Sequence, residues 1–170
     1  MYPFFKNEYF DCEHTPLTPY WPDYRDPMTK GSQRNIREIP VTVGFNHRRF
    51  FLMQRISRAI SHPVIRPLRL TGLFWHSHLL RKLYLSPEVT SAQDMQVLID
   101  SALDNEAPVI HMYLHSSSLI SGATGYMKQK YSLNVICKSI EQVVEHIRFR
   151  SNIQFCTISE AATLLRNRLN

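Results

Sequence analysis

The sequence predicts an α/β fold, and composition and missing motifs bound the size and the class of the chain. From about residue 84 onward, segments of strand character alternate with helical patterns, an order typical of βαβ units with parallel pairing. The 170 residues are 44% hydrophobic and 20% charged, which is ordinary globular composition at the size of one domain. No signal peptide, no run of 18 apolar residues and no CxxC pair is present. We therefore expect a cytoplasmic chain without a membrane span.

The first half of the chain is the less regular one. Residues 1–30 are predicted to form an irregular segment, because five of the ten prolines fall in its first 27 positions and interrupt any helix. Alternating apolar residues that end at Gly44 predict a short strand over residues 37–43. Residues 46–84 are predicted to hold two basic helices, divided around His62-Pro63 and Arg66-Pro67.

The second half has clearer periodicity. Thr90-x-x-Gln93 is typical of a capping box and starts an amphipathic helix. An apolar run predicts a strand over residues 109–115, and a stripe from Leu133 to Ile147 predicts a second helix. Residues 153–157 are predicted to be a strand, after which Thr157-x-x-Glu160 caps a last helix.

These elements are too few for a complete barrel. Four strand candidates are visible, over residues 37–43, near residue 84, and over residues 109–115 and 153–157, whereas a closed (β/α) barrel needs about 200 residues or more. We therefore expect a partial (β/α) barrel that lacks its N-terminal strands. In the predicted organisation, residues 1–170 are a single partial domain, with residues 31–170 as the C-terminal part of the barrel.

The candidate site lies at the end of the predicted strand 109–115. Working groups of parallel α/β folds gather at the carboxyl ends of strands, which is where His115 falls. On a strand, Tyr113 and His111 share the face of His115, so they are the candidate pocket residues. The alternative is a histidine that simply hydrogen-bonds a neighbouring carbonyl.

The spacing argues against a metal site within this chain. His111 and His115 would lie about 13 Å apart on a strand, at about 3.3 Å per residue, so they cannot chelate one ion. Phosphate-binding loops, nucleophile elbows and HExxH motifs are absent. We expect no metal ligands here.

Positive charge is concentrated in residues 30–82. This segment has nine Arg, two Lys and one acid, a net charge of +10, so the rest of the chain carries −4 of the total of +6. Such asymmetry is consistent with an anionic glycan, a nucleic acid or a membrane surface as partner. A solvated face with arginine stems packed on apolar surface is the alternative. Nucleic-acid-binding motifs are absent, which disfavours that partner.

Several segments, taken in order, resemble the C-terminal half of the polysaccharide deacetylase family, the nodulation-type deacetylase domain. They are 18–22 (TPYWP), 36–44 (IREIPVTVG), 82–88 (KLYLSPE), 108–117 (PVIHMYLHSS) and 157–162 (TISEAA). The resemblance implies a distorted (β/α) barrel and hydrolysis of N- or O-acetyl groups on a glycan. It also implies a zinc-like divalent metal in the complete domain and His115 as the general acid.

The chain departs from this family in its first motifs. The aspartate pair and the following His-x-x-x-His, which supply the base and the metal ligands, are missing from their place. His111 and His115 share the spacing of that second motif but fall in a different strand. We therefore expect a truncated chain, inactive by itself, that needs an N-terminal half or a homo-oligomer. The alternative function is a basic interaction module that binds an anionic glycan or nucleic acid through residues 30–82.

Overall fold

The computed structural model describes residues 15–62, 64, 67, 70–123 and 132–168. They belong to two compact units, one drawn from Met1–Pro40 and Cys156–Asn170, the other from Val41–Phe155. The elements, in chain order, are β1 (Val43–Phe45), α1 (Phe50–Ser61), α2 (Leu70–His76), β2 (Lys82–Tyr84), α3 (Ala92–Asp104), a 3-10 helix (Ser116–Leu119), α4 (Ser132–Arg150) and α5 (Ile158–Arg168).

The larger unit is organised around a two-stranded sheet. β1 pairs with β2 in antiparallel register, with Gly44 opposite Leu83. The described residues contain no parallel ladder, and the partial barrel stays a prediction. The strand predicted over residues 37–43 is observed only as β1, which begins three residues after Pro40. A proline has no N–H to donate to a ladder, which explains why regular pairing starts after it.

The core of this unit lies between the sheet and helices α3 and α4. Apolar side chains from these elements form one buried cluster, which consists of Leu83, Leu85, Met95, Leu98, Ile99, Val143 and Ile147. The α4 residues Val143 and Ile147 belong to the predicted stripe, and Ile136 of the same stripe is also buried. Ile110, Met112 and Ile153 pack against the cluster from extended segments.

Two predicted strands are extended segments without regular ladders. Residues 109–115 are held by scattered hydrogen bonds, among them the amide of Tyr113 to the carbonyl of Leu85 at 3.2 Å. Residues 153–157 have no ladder partner in the part of the chain that the structure describes. Apolar packing through Ile110 and Ile153, rather than sheet pairing, explains the strand-like sequence pattern of both segments.

The predicted helices are found, with one shift at a helix start. The basic segment forms α1 and α2, separated around His62 as the prolines predict. Helix α3 is capped by Ser91, whose side chain accepts from the amide of Asp94, one residue later than the predicted Thr90 cap. The Thr90 hydroxyl donates to the carbonyl of Tyr84 at 2.7 Å, which holds Thr90 in the turn before the helix.

The smaller unit contains the described part of the irregular N-terminal segment and α5. Isolated bridges join Tyr20 to Glu38 and Pro22 to Lys30, and no helix lies in residues 15–40. Residues 1–14 of the predicted 1–30 segment lie outside the described residues. The predicted capping box of α5 is observed, because the amide of Glu160 donates to the Thr157 hydroxyl and the Glu160 carboxylate accepts from the amide of Thr157. None of the described helices has the length and apolar character needed to cross a bilayer.

Candidate functional site

The site begins with a carboxylate held in the turn between β2 and α3. Ser86, in this turn, is fully buried, and its carbonyl accepts hydrogen bonds from the amides of Val89 and Thr90. The Glu88 amide lies 3.4 Å from the Ser86 hydroxyl, which in turn lies 3.4 Å from a carboxylate oxygen of Glu88. This local arrangement leaves the Glu88 side chain only 1% exposed.

The second part of the site is the end of the extended segment 109–115. Its odd-numbered and even-numbered residues point to opposite sides, because Ile110 and Met112 pack on the core cluster. The rings of Tyr113 and His115, which contact each other, lie on the other side. The segment ends at His115, whose carbonyl accepts from the amide of Ser118 as the 3-10 helix starts.

Glu88 and His115 are joined by two hydrogen bonds. The His115 amide donates to Oε1 of Glu88 at 2.8 Å, and Nδ1 of His115 lies 2.8 Å from Oε2. One carboxylate therefore fixes both the backbone and the ring of the same residue. The imidazole is 56% exposed, so a substrate can reach it while its carboxylate partner stays buried.

The electrostatics of this pair favour an ionised glutamate. Burial of the Glu88 carboxyl raises its pKa, but hydrogen bonds from the Ser118 side chain and from the ring and amide of His115 outweigh that effect. Together they hold the pKa of Glu88 below its ordinary value. A carboxylate that is ionised at neutral pH can only accept, which places a hydrogen on Nδ1 of His115.

This geometry is suited to proton transfer. Because Nδ1 of His115 is bonded to Glu88, the exchangeable position of the ring is Nε2, and the carboxylate stabilises the imidazolium when Nε2 is protonated. The ring edge of Tyr113 contacts the imidazole, with centroids 5.9 Å apart and planes at 86°. The tyrosine ring and the glutamate together restrict how His115 can turn.

All three predicted site residues lie on the segment 109–115. His115 and Tyr113 are in contact, whereas His111 is placed by its backbone, which bonds Thr42. Among the described residues, no group of three His, Cys, Asp or Glu side chains could hold a metal ion. A surface depression of about 350 Å³ is lined by residues 48–52, 104 and 105 and includes neither member of the pair.

Sequence reasoning missed Glu88 and Ser118. Glu88 is the first acidic residue after Glu38, and it follows a strand within a Ser-Pro-Glu turn. That isolation is a usable signal, since a single carboxylate next to a strand end can meet a histidine at the end of a neighbouring segment. Ser118 gave no signal, because its burial depends on the 3-10 helix that folds it onto the carboxylate.

No family model, curated protein or solved structure matches the chain. The resemblance to polysaccharide deacetylases therefore stays a prediction that rests on the quoted segments. The function has to be argued from the geometry of Glu88 and His115.

Proposed function

We propose that this chain supplies the proton-donating residues of a polysaccharide deacetylase-type hydrolase that acts on acetylated glycans. The observation that carries the proposal is the double hydrogen bond between the buried Glu88 carboxylate and His115. A histidine oriented through Nδ1 and accessible to solvent is the arrangement that general acid catalysis requires. The family resemblance suggests the substrate class, and the Glu88–His115 pair supports the role of His115 as a general acid.

In the proposed reaction, water adds to the acetyl carbonyl and gives its proton to the base of a cooperating polypeptide segment, and the bond from the carbonyl carbon to the sugar nitrogen or oxygen then breaks. The imidazolium of His115 gives its Nε2 proton to the leaving nitrogen or oxygen, so that a free amine or hydroxyl is released with acetate. Glu88 stabilises the imidazolium before transfer and keeps the ring oriented after it. The ring then regains a proton from water.

The metal of the family does not fit the described residues. They provide no cluster of three His, Cys, Asp or Glu side chains, so no step is assigned here to a metal. We propose that the base and a zinc-like ion belong to a polypeptide segment that acts together with this chain, an N-terminal half or a second subunit. Glu88 and His115 would then face the acetylated sugar from one side only.

The pair can be tested in the chain itself by nitrogen-15 NMR of the histidine rings. We expect His115 to show hydrogen on Nδ1 at pH values where its ring is neutral, and we expect Glu88→Gln to alter that signature. The His76→Ala variant is the matched control, because His76 is exposed in α2 and lies outside the pair. A His115 ring with hydrogen on Nε2 instead would contradict the proposed role.

Activity provides the second test. The chain joined to a segment with the aspartate pair and His-x-x-x-His should release acetate from acetylated amino-sugar oligomers. His115→Ala should then lower turnover by about 10²- to 10⁴-fold while metal binding is retained. Acetate release that is indifferent to His115→Ala would refute the assignment.

The alternative function is a basic module that binds an anionic glycan through residues 30–82. It is supported by the complete absence of Asp and Glu between Glu38 and Glu88. A sulfated glycan should then bind with an affinity that falls steeply with salt, and His115→Ala should leave that affinity unchanged.

A further inference from the structure

The connection between β1 and β2 is a helical hairpin, here defined as residues 46–81. The two ends of the hairpin are joined at the sheet by two hydrogen bonds. The backbone amide of Asn46 donates to the carbonyl of Arg81, and the side-chain oxygen of Asn46 accepts from the Arg81 amide. The Asn46 side chain also donates to the carbonyl of His78, and the ring of His47 lies 2.7 Å from the carbonyl of Leu79. Helices α1 and α2 therefore project from a closed neck.

The hairpin has positive charge without any negative charge. Its sequence has seven arginines and no Asp or Glu. Arg48 and Arg81, at the neck, form ion pairs with Asp100 and Asp94 of α3. The α1 residues Arg49 (its N-cap), Arg55 and Arg58 are exposed. Within the part of the chain that the structure describes, no acidic side chain pairs with these three arginines, so they form a cationic surface on α1.

The same hairpin leaves large apolar side chains in solvent. Helix α1 is amphipathic but has no buried residue, and Leu80 is the sole buried residue in the described part of the hairpin. Phe51 is 66% exposed, Leu73 63%, Leu79 60% and Val64 78%. An amphipathic helix normally buries its apolar face, so this surface is suited to an external partner.

Charge and apolar exposure coincide on α1. Phe51, Arg55 and Arg58 follow the i, i+4, i+7 spacing that places side chains on one helix face. An exposed aromatic ring that shares a helix face with arginines three to seven residues along is typical of helices that lie in the headgroup region of a bilayer, where guanidinium groups reach phosphates and rings enter the acyl boundary.

We propose that the hairpin docks on the surface of an anionic lipid bilayer, with α1 lying in the plane of the headgroups. Charge complementarity selects a negatively charged surface, and the exposed aliphatic residues Val64, Leu73 and Leu79 select lipid. A nucleic acid or a sulfated glycan would neutralise the arginines but would leave these aliphatic side chains in water. The inference is independent of the Glu88–His115 pair.

The experiment is co-sedimentation of the full chain with lipid vesicles. We expect binding to vesicles of phosphatidylcholine with one third phosphatidylglycerol, at least tenfold stronger than to phosphatidylcholine alone, and weakened when salt rises from about 50 mM to about 200 mM. Each arginine neutralised in the double variant Arg55→Gln/Arg58→Gln should lower the partition coefficient about fivefold. Phe51→Ser should lower it severalfold through the lost apolar contact.

Matched controls come from α4, in the same unit. Phe149 is 90% exposed and Lys138 is exposed, so Phe149→Ser and Lys138→Gln should bind vesicles like the unchanged chain. His115→Ala should also bind normally, which separates this inference from the proposed function. Hydrogen exchange over α1 should slow on vesicles, and it gives a readout that does not depend on a variant.

Three results would overturn the proposal. The first is equal binding to neutral and anionic vesicles, or none to either. The second is an equal loss of binding in Phe149→Ser and Phe51→Ser. The third is displacement of the chain from vesicles by single-stranded RNA or heparin, together with an affinity of the Phe51→Ser variant for that polyanion equal to that of the unchanged chain. This result would identify a polyanion as the partner of the hairpin.

Discussion

Thr42 and His111 exchange two hydrogen bonds across 69 positions of sequence. The Thr42 amide donates to the His111 carbonyl at 3.0 Å, and the His111 amide donates to the Thr42 hydroxyl at 2.8 Å. The hydroxyl oxygen of Thr42 thus accepts a hydrogen bond that, in a regular ladder, a backbone carbonyl of the neighbouring strand would accept. The Thr42 carbonyl is engaged with the amide of Leu85 at 2.9 Å, so a single residue ties three segments together.

Thr42→Val should therefore destabilise the larger unit. The valine keeps the shape of threonine but leaves the His111 amide without its acceptor, at a cost of about 1–3 kcal/mol in the free energy of unfolding. Thr42→Ser keeps the hydroxyl and should lose less than half as much. Urea unfolding measures both variants, and an equal loss in the two would show that the hydroxyl is not the relevant group.

Glu88 should make the free energy of unfolding depend on pH in the acid range. The pKa of Glu88 is lower in the folded chain than the ordinary value of about 4.3 that applies to the unfolded chain. The ionised carboxylate therefore makes its full contribution to the free energy of unfolding at pH values above the unfolded-state pKa. The contribution is lost as pH falls through the folded pKa. We expect Glu88→Gln to be about 1–3 kcal/mol less stable at pH 7, with a difference that shrinks toward low pH.

The matched control for this acid dependence is Glu145→Gln, since Glu145 is an exposed glutamate of α4. Its unfolding free energy should follow the unchanged chain at every pH. A constant difference between Glu88→Gln and the unchanged chain from pH 7 to pH 3 would contradict the ionised buried glutamate.

Asp100 is the centre of an ion-pair network between α3, α4 and the start of α1. Its carboxylate lies 2.8 Å from Nε2 of His146 and 3.4 Å from the guanidinium groups of Arg48 and Arg150. Because its side chain is only 17% exposed, Asp100→Asn should cost about 1–3 kcal/mol by thermal or urea unfolding.

Asp104 forms ion pairs with the same two arginines but is 45% exposed, so Asp104→Asn should cost less than about 1 kcal/mol. The network is tested by comparing the loss in the free energy of unfolding of Asp100→Asn with that of Asp104→Asn. A larger loss for Asp104→Asn would contradict it.

Gly44 and Gly72 should respond oppositely to alanine. A Cβ at Gly44 would lie 2.5 Å from Cδ1 of Leu98, a core residue that is 2% exposed. Gly44→Ala should therefore cost about 1–3 kcal/mol through overpacking. At Gly72, within α2, a Cβ meets nothing within 4 Å, and alanine should stabilise by up to about 1 kcal/mol. Differential scanning calorimetry compares the two, and destabilisation of both would contradict the open space at Gly72.

Helices were the most predictable part of the fold because their signals are local. The apolar spacing of α4 and the reciprocal cap of Thr157 and Glu160 are both readable within a few residues. The start of α3 was misplaced by one residue: Ser91 caps the helix, and the Thr90 hydroxyl bonds the carbonyl of Tyr84. That bond depends on the turn after β2, which local spacing does not encode.

Strand pairing and the site partner were less predictable because both are tertiary properties. β1 pairs with β2 across the whole hairpin, and alternation of apolar residues does not name a strand's partner. His115 was found through its position after an apolar run. Glu88 was not, since burial of a carboxylate follows from how the segment 109–115 docks against the turn that holds it.

The closed neck of the hairpin has a consequence for loop-closure entropy. Phe45 and Lys82 are paired, yet the chain between them runs from Asn46 to Arg81, which are 36 positions by the bounds of β1 and β2. Replacing those positions by a turn of about four residues would halve the loop length about three times. Since each halving saves about 0.6 kcal/mol, the entropic cost of pairing β1 with β2 would fall by about 2 kcal/mol. Since the described hairpin buries only Leu80, its removal would take little from the core. A shortened chain should then nucleate its sheet sooner during folding than the natural one.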